Sequence, residues 1–195
     1  MTASEFRVEF VCTPGQTVGP FFGMALPYPG GSDLVDTAYP RAVRLHGTVY
    51  DGAGVAVPDA LIELWQPDSA GRIAQQAGSL RRDGTGFTGW GRAATDAAGR
   101  YTFTTLAPGS ASDGRSPFFG IVVFARGLLD RLFTRAYLPD ADLDTDPLLS
   151  AIDVDRRATL LCAAESDSGR TGYRFDIHLQ GPGETVFLAY RDNGR

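Results

Sequence analysis

Ser116 to Tyr137 reads SPFFGIVVFARGLLDRLFTRAY. After Pro117 the chain runs Phe118-Phe119-Gly120-Ile121-Val122-Val123-Phe124, with no charge before Arg126. A short β-branched and aromatic run bounded by turn residues predicts a strand buried on both faces. Arg126-Gly127 marks a turn, and Leu128 to Leu138 is predicted as the returning strand. The rest of the chain reads as shorter strands packed around this hairpin.

Upstream, Val43, Leu45, Gly47 and Val49 alternate with polar residues, the period of a half-exposed strand. Asp51-Gly52-Ala53-Gly54 is a hairpin turn signal, and Ala60 to Gln66 follows as a strand. Residues 71–89 are polar and Gly-rich and predict a long surface loop. Arg92 to Thr95 and Arg100 to Leu106 are strands joined by Asp96-Ala97-Ala98-Gly99. Downstream, Leu160 to Cys162, Tyr173 to Leu179 and Thr185 to Leu188 complete the strands. Residues 1–12 alternate loosely, with Phe6, Val8 and Phe10 on one face, and read as an edge strand or an arm reaching a partner. Prolines and glycines interrupt 13–22 and 27–42, so residues 1–42 together read as a largely irregular N-terminal arm. About nine strands and little helix predict an all-β, two-sheet sandwich, one domain over residues 1–195.

At 195 residues the chain is long enough to bury about 70% of its unfolded surface, so its core needs no staples. Its net charge is −5, and all 18 basic residues are arginine. An acidic chain without a basic cluster argues against nucleic acid and anionic membranes as partners. No apolar span long enough for a membrane helix and no secretory signal is visible. Cys12 and Cys162 are too few for a disulfide framework, and reduced thiols in a cytoplasmic protein are expected.

The residues offer little visible chemistry. His46 and His178 each stand alone on a strand, zinc spacings are absent, and there is no GxSxG, P-loop or dinucleotide fingerprint. Asp140 to Asp146 holds four aspartates in seven residues but lacks the spacing of a calcium loop, so a solvated acidic loop leading into a short helix is expected. Trp65 and Trp90 read as core or interface aromatics.

Three stretches together carry a resemblance. Glu63-Leu64-Trp65-Gln66-Pro67-Asp68-Ser69-Ala70-Gly71 resembles the E-x-W-Q-A-D-x-x-G signature of intradiol ring-cleaving dioxygenases. Ala94 to Phe103 (ATDAAGRYTF), followed by Leu106-Ala107-Pro108-Gly109, resembles their T-D-x-x-G-x-Y-x-F…P-G segment. Gln16-Thr17-Val18-Gly19-Pro20-Phe21-Phe22 is similar to the N-terminal loop of the family's hetero-oligomeric members. Tyr173 to Phe187 (YRFDIHLQGPGETVF) and Phe124-Ala125-Arg126-Gly127 resemble the subunit of those members that carries no iron.

Catalytic members hold ferric iron with two tyrosines and two histidines. The resemblance puts Ile73, Ala111, Phe118 and Gly120 on or near those four positions, and none has a side-chain donor atom. It therefore implies an enzyme subunit with no catalytic or metal-binding residue of its own, and Fe(III) bound by a homologous partner β subunit in a higher-order hetero-oligomer. The implied reaction is cleavage of 3,4-dihydroxybenzoate by O₂ to 3-carboxy-cis,cis-muconate, in aromatic catabolism through the β-ketoadipate pathway. Thr17, Pro20 and Arg135 are the implied pocket-lining residues, Arg135 supplying positive potential for the substrate carboxylate. Apolar residues at the lost positions are expected to pack the vacated site shut. The alternative is an independent transthyretin-like β-sandwich that binds a ligand without catalysis.

Overall fold

The computed structural model describes residues 19, 21–74, 86–167 and 169–189. Nine strands are present among them: β1 (Val43–Tyr50), β2 (Leu61–Trp65), β3 (Trp90–Ala94), β4 (Arg100–Thr105), β5 (Phe118–Phe124), β6 (Leu132–Tyr137), β7 (Ala163–Asp167), β8 (Arg170–Arg174) and β9 (Ile177–His178). They form two sheets, as the sequence predicts. One has the order β4-β1-β8-β7, with β9 continuing beside β1; the other has the order β3-β2-β5-β6. Both β8 and β9 run parallel to β1, and every other pair is antiparallel.

The period-2 pattern decides which side chains enter the sandwich. Leu45 and Val49 of β1 and Tyr101 and Phe103 of β4 meet Ile62 and Leu64 of β2 and Phe119, Ile121 and Val123 of β5 in one buried cluster. A smaller cluster of Tyr137, Leu149 and Leu160 closes one end.

Several predicted boundaries shift. The returning strand begins at Leu132 rather than Leu128, because Val123 pairs with Leu132 and everything between forms the connection, with Leu129 exposed. Tyr173 to Leu179 splits into β8 and β9 where the backbone crosses Gly47; a Cβ at Gly47 would collide with the Phe175 carbonyl oxygen. There the Asp176 carboxylate, in place of a strand carbonyl, accepts from Thr48 N at 2.9 Å, and Tyr101 Oη donates to Phe175 O at 2.5 Å. Leu160 ends a 3₁₀ turn, Ala158–Leu160, and the strand follows at Ala163 instead. Thr185 to Leu188 is no strand, although Thr185 N reaches His178 O and Leu188 N reaches Phe133 O. Strand β5 is not uniformly buried: Phe119, Ile121 and Val123 face the core, while Phe118, Gly120 and Phe124 are half-exposed.

In the arm, Phe22–Ala25 makes one helical turn, and Leu34 and Val35 are buried. Within the acidic loop, Asp146 is buried, not solvated. It accepts from Ser116 N, Leu148 N and Leu149 N, and so ties the start of β5 to a 3₁₀ turn, Leu149–Ala151.

Candidate functional site

The outer face of the four-stranded sheet carries the site. Strand alternation that turns Ile62 and Leu64 inward turns Glu63 and Trp65 outward. Across the sheet, Trp90, Trp65, Gly120 and Arg135 form one row of directly opposed residues. Arg92, Glu63, Val122 and Phe133 form the next. Gly120 leaves the first row without a side chain between Trp65 and Arg135, which makes the face concave. Two loops close one side. Gly71 sits at φ +79°, where a Cβ would collide with the Ser110 carbonyl, so only glycine lets the loops touch and bring Ile73 and Ala111 to the same rim. The resulting pocket is about 710 Å³.

Its electrostatics are one-sided. Arg135 lies 4.0 Å over the Phe118 ring centroid and donates to Tyr137 Oη at 3.2 Å. Burial pushes the Tyr137 phenol above its ordinary value, against the opposing pull of the Arg135 hydrogen bond. Arg131 lies 5.1 Å over the Phe133 ring. Glu63, the one carboxylate of the lining among the described residues, is engaged elsewhere: Arg92 donates to its Oε1 from Nε at 3.0 Å and from Nη2 at 2.5 Å. Arg92 also donates to Leu26 O, which anchors the arm to the pocket edge. Trp90 stands between Tyr28, 6.2 Å away, and Trp65, 5.7 Å away.

The structure brings Ile73, Ala111, Phe118, Gly120 and Arg135 around this single pocket. Thr17 and Pro20 lie outside the described residues. An isoleucine, an alanine, a phenylalanine and a glycine do not fit ferric iron, which needs oxygen or nitrogen donors. Elsewhere, His46 Nε2 pairs with Glu165 at 3.1 Å, and His178 stacks on Tyr50 at 4.9 Å. Both belong to the other sheet, and among the described residues no three metal-binding side chains converge.

The expectation of a site packed shut is overturned, for the pocket is open. Phe118 leans toward Tyr137, with ring centroids 5.5 Å apart; Gly120 fills nothing; and Ile73 is 73% exposed. Trp65 and Trp90 are not core residues either, since both line the pocket and Trp65 is 54% exposed. The alternation of Glu63 and Trp65 against Ile62 and Leu64 carried that signal. Arg131 and Phe133 carried none until the register of β6 was known.

Residues 33–181 match the Dioxygenase family. This chain belongs to the intradiol ring-cleavage dioxygenase family. It is 38% identical to the protocatechuate 3,4-dioxygenase alpha chain of Burkholderia cepacia, over 90% of this chain and 96% of that protein. To the beta chain from the same organism it is 33% identical, over 69% of this chain and 63% of that one. Among solved structures, the dioxygenase domain of a carbohydrate-binding fusion from Streptomyces sp. SirexAA-E superposes with a TM-score of 0.58 at 28% identity, covering 87% of this chain and 98% of that domain. The two-sheet sandwich is thus the intradiol dioxygenase fold. No helix among the described residues is long and apolar enough to cross a membrane.

Proposed function

We propose that this chain is the iron-free alpha-type subunit of a hetero-oligomeric protocatechuate 3,4-dioxygenase. In this reading it forms part of the wall of a site whose Fe(III) is held by a homologous beta-type partner. The single observation that carries it is the convergence of Ile73, Ala111, Phe118 and Gly120 on one pocket without a donor atom among them. Similarity to an alpha chain over 90% of this chain, against 69% for a beta chain, points the same way.

The assembled enzyme converts 3,4-dihydroxybenzoate and O₂ to 3-carboxy-cis,cis-muconate, a step of the β-ketoadipate pathway in the cytoplasm. This chain's own part is steric and electrostatic. Arg135 adds positive potential for the substrate carboxylate, and Thr17 and Pro20 shape the wall from the N-terminal loop. The whole chain acts as one domain, with residues 1–42 as an arm toward the partner, and a permanent interface of this kind buries more than about 2,000 Å².

The test is co-expression with a candidate chain that carries the Tyr/Tyr/His/His set, followed by co-purification, iron analysis and visible absorption. A stable complex with one iron per pair, coloured by tyrosinate-to-iron charge transfer, is expected. Arg135→Ala in that complex should lower kcat/KM for the carboxylated substrate by about tenfold or more, the value of one charge-assisted hydrogen bond. Two chains that never associate, or stoichiometric iron in this chain alone, would overturn the reading. A lone chain that binds a ligand and never a partner would favour the independent sandwich module instead.

A further inference from the structure

The Arg135 guanidinium is held from two sides. Its Cζ lies 4.0 Å from the centroid of the Phe118 ring, and its Nη1 donates to Tyr137 Oη at 3.2 Å. An arginine side chain has many staggered rotamers, and two contacts of different kinds select among them. Phe118 and Tyr137 are themselves one unit, directly opposed across β5 and β6 with ring centroids 5.5 Å apart. Tyr137 is fully buried. Burial keeps its phenol protonated, so it offers Arg135 a lone pair and not a charge.

Asp146, also buried, fixes this pair of rings. Its Oδ2 accepts from Ser116 N at 2.9 Å. Only Pro117, whose own ring locks φ, separates Ser116 from Phe118. Its Oδ1 accepts from Leu148 N at 2.9 Å and from Leu149 N at 3.1 Å. Leu149 in turn belongs to the buried cluster of Tyr137, against which Phe118 packs. One carboxylate thus holds both sides of the Tyr137 socket: the strand start that carries Phe118 and the turn that carries Leu149.

We infer that Tyr137 and Asp146 are positioning residues for Arg135. Tyr137 orients the guanidinium directly, and Asp146 holds the socket in which Tyr137 and Phe118 stand. The consequence for catalysis rests on the proposed function, in which Arg135 meets the substrate carboxylate; the aiming of the guanidinium does not.

The aiming is read by NMR in the full-length chain, without a partner. An aromatic face shifts protons above it upfield. The Arg135 Nε–Hε signal, assigned by its loss in Arg135→Ala, should therefore lie upfield of exposed arginines. Tyr137→Phe keeps the ring and removes only the hydroxyl, and should move that signal. Asp146→Asn should move it too, because an amide has one acceptor oxygen where the carboxylate uses two.

In the co-purified complex, either variant should reduce the preference in kcat/KM for 3,4-dihydroxybenzoate over 1,2-dihydroxybenzene by about fivefold, mainly through KM for the carboxylated substrate. The reduction should vanish in an Arg135→Ala background. A merely structural defect would lower turnover of both substrates alike and leave the ratio where it was. Unfolding midpoints of both variants are compared with that of the unmodified chain, and should one fail to fold, the other decides. An Arg135 signal unmoved in both variants would overturn the inference, as would an unchanged preference where Arg135→Ala does reduce it. If Arg135→Ala leaves the preference unchanged, the proposed role of Arg135 falls, and its NMR signal still decides whether Tyr137 and Asp146 aim it.

Discussion

The two faces of the four-stranded sheet are made by alternate residues of the same strands, yet they obey different rules. On the inner face of β2 and β5, Ile62, Leu64, Phe119, Ile121 and Val123 are closed off from water and packed against the other sheet. On the outer face, Glu63, Trp65, Phe118 and Gly120 surround a pocket, and half-exposed aromatics carry guanidinium groups instead of neighbouring methyls. The inner face is bound by packing density, so each side chain there answers for the stability of the sandwich. The outer face is free of that constraint. It can therefore exchange metal-binding residues for apolar ones and keep the fold.

If that division is right, the inner face should be far less tolerant than the outer. Phe119→Ala is expected to cost about 3–5 kcal/mol in denaturant unfolding, from lost burial plus the cavity left behind. A cost near 1 kcal/mol would mean that the sheets can collapse around the gap and the contrast is weaker than drawn. Next comes the one outer-face feature that should behave like core. Glu63→Gln leaves Arg92 without its carboxylate and should cost about 2–3 kcal/mol, below the fully buried case because both side chains keep some exposure. Arg92 also anchors Leu26, so protease sensitivity between residues 21 and 42 should rise in that variant.

Phe118→Ala sharpens the comparison from the other side. It lies next to Phe119 in sequence but outward, and should cost only about 1 kcal/mol of stability, in proportion to its partial burial. Its main effect should fall on kcat/KM of the co-purified complex for the carboxylated substrate, because the ring beneath Arg135 is gone. The smallest effect concerns pH. Burial pushes the Cys162 thiol up to about 12 from its ordinary 9.0. The folded chain then holds this proton where the unfolded chain releases it. Stability from this group is complete well below pH 9 and falls as pH rises through 9 toward 12. The loss should be about half a kcal/mol at pH 9, and Cys162→Ala should flatten that part of the profile.

Much of the fold was legible because strand burial has a period that sequence displays. Val43–Tyr50 and Phe118–Phe124 were readable nearly to the residue. Where the reading slipped, long-range pairing had overridden local pattern. Leu128 to Arg131 looks like strand, yet among the described residues nothing pairs opposite it. Thr185 to Leu188 looks like strand too, but its bonds are spread over His178, Thr159, Thr134 and Phe133, several of them through side chains, and form no ladder. Asp146 read as one of four solvated aspartates, although three backbone amides were waiting for it.

By itself the sequence determined the family, the all-β class and the chemical poverty of four positions. Each of these is carried by residue types and their order: a phenylalanine has no donor atom in any fold. Only the tertiary structure decided that those four positions share one pocket, that the pocket is open, and that Trp65, Trp90, Arg131 and Arg135 line it as well. Those facts depend on register between strands distant in the chain, and on which way Phe118 leans. Period-2 alternation says that a side chain leaves the core; it does not say what stands opposite. Pairing of Gly120 with both Trp65 and Arg135 supplies that, because it sets a missing side chain between an indole and a guanidinium.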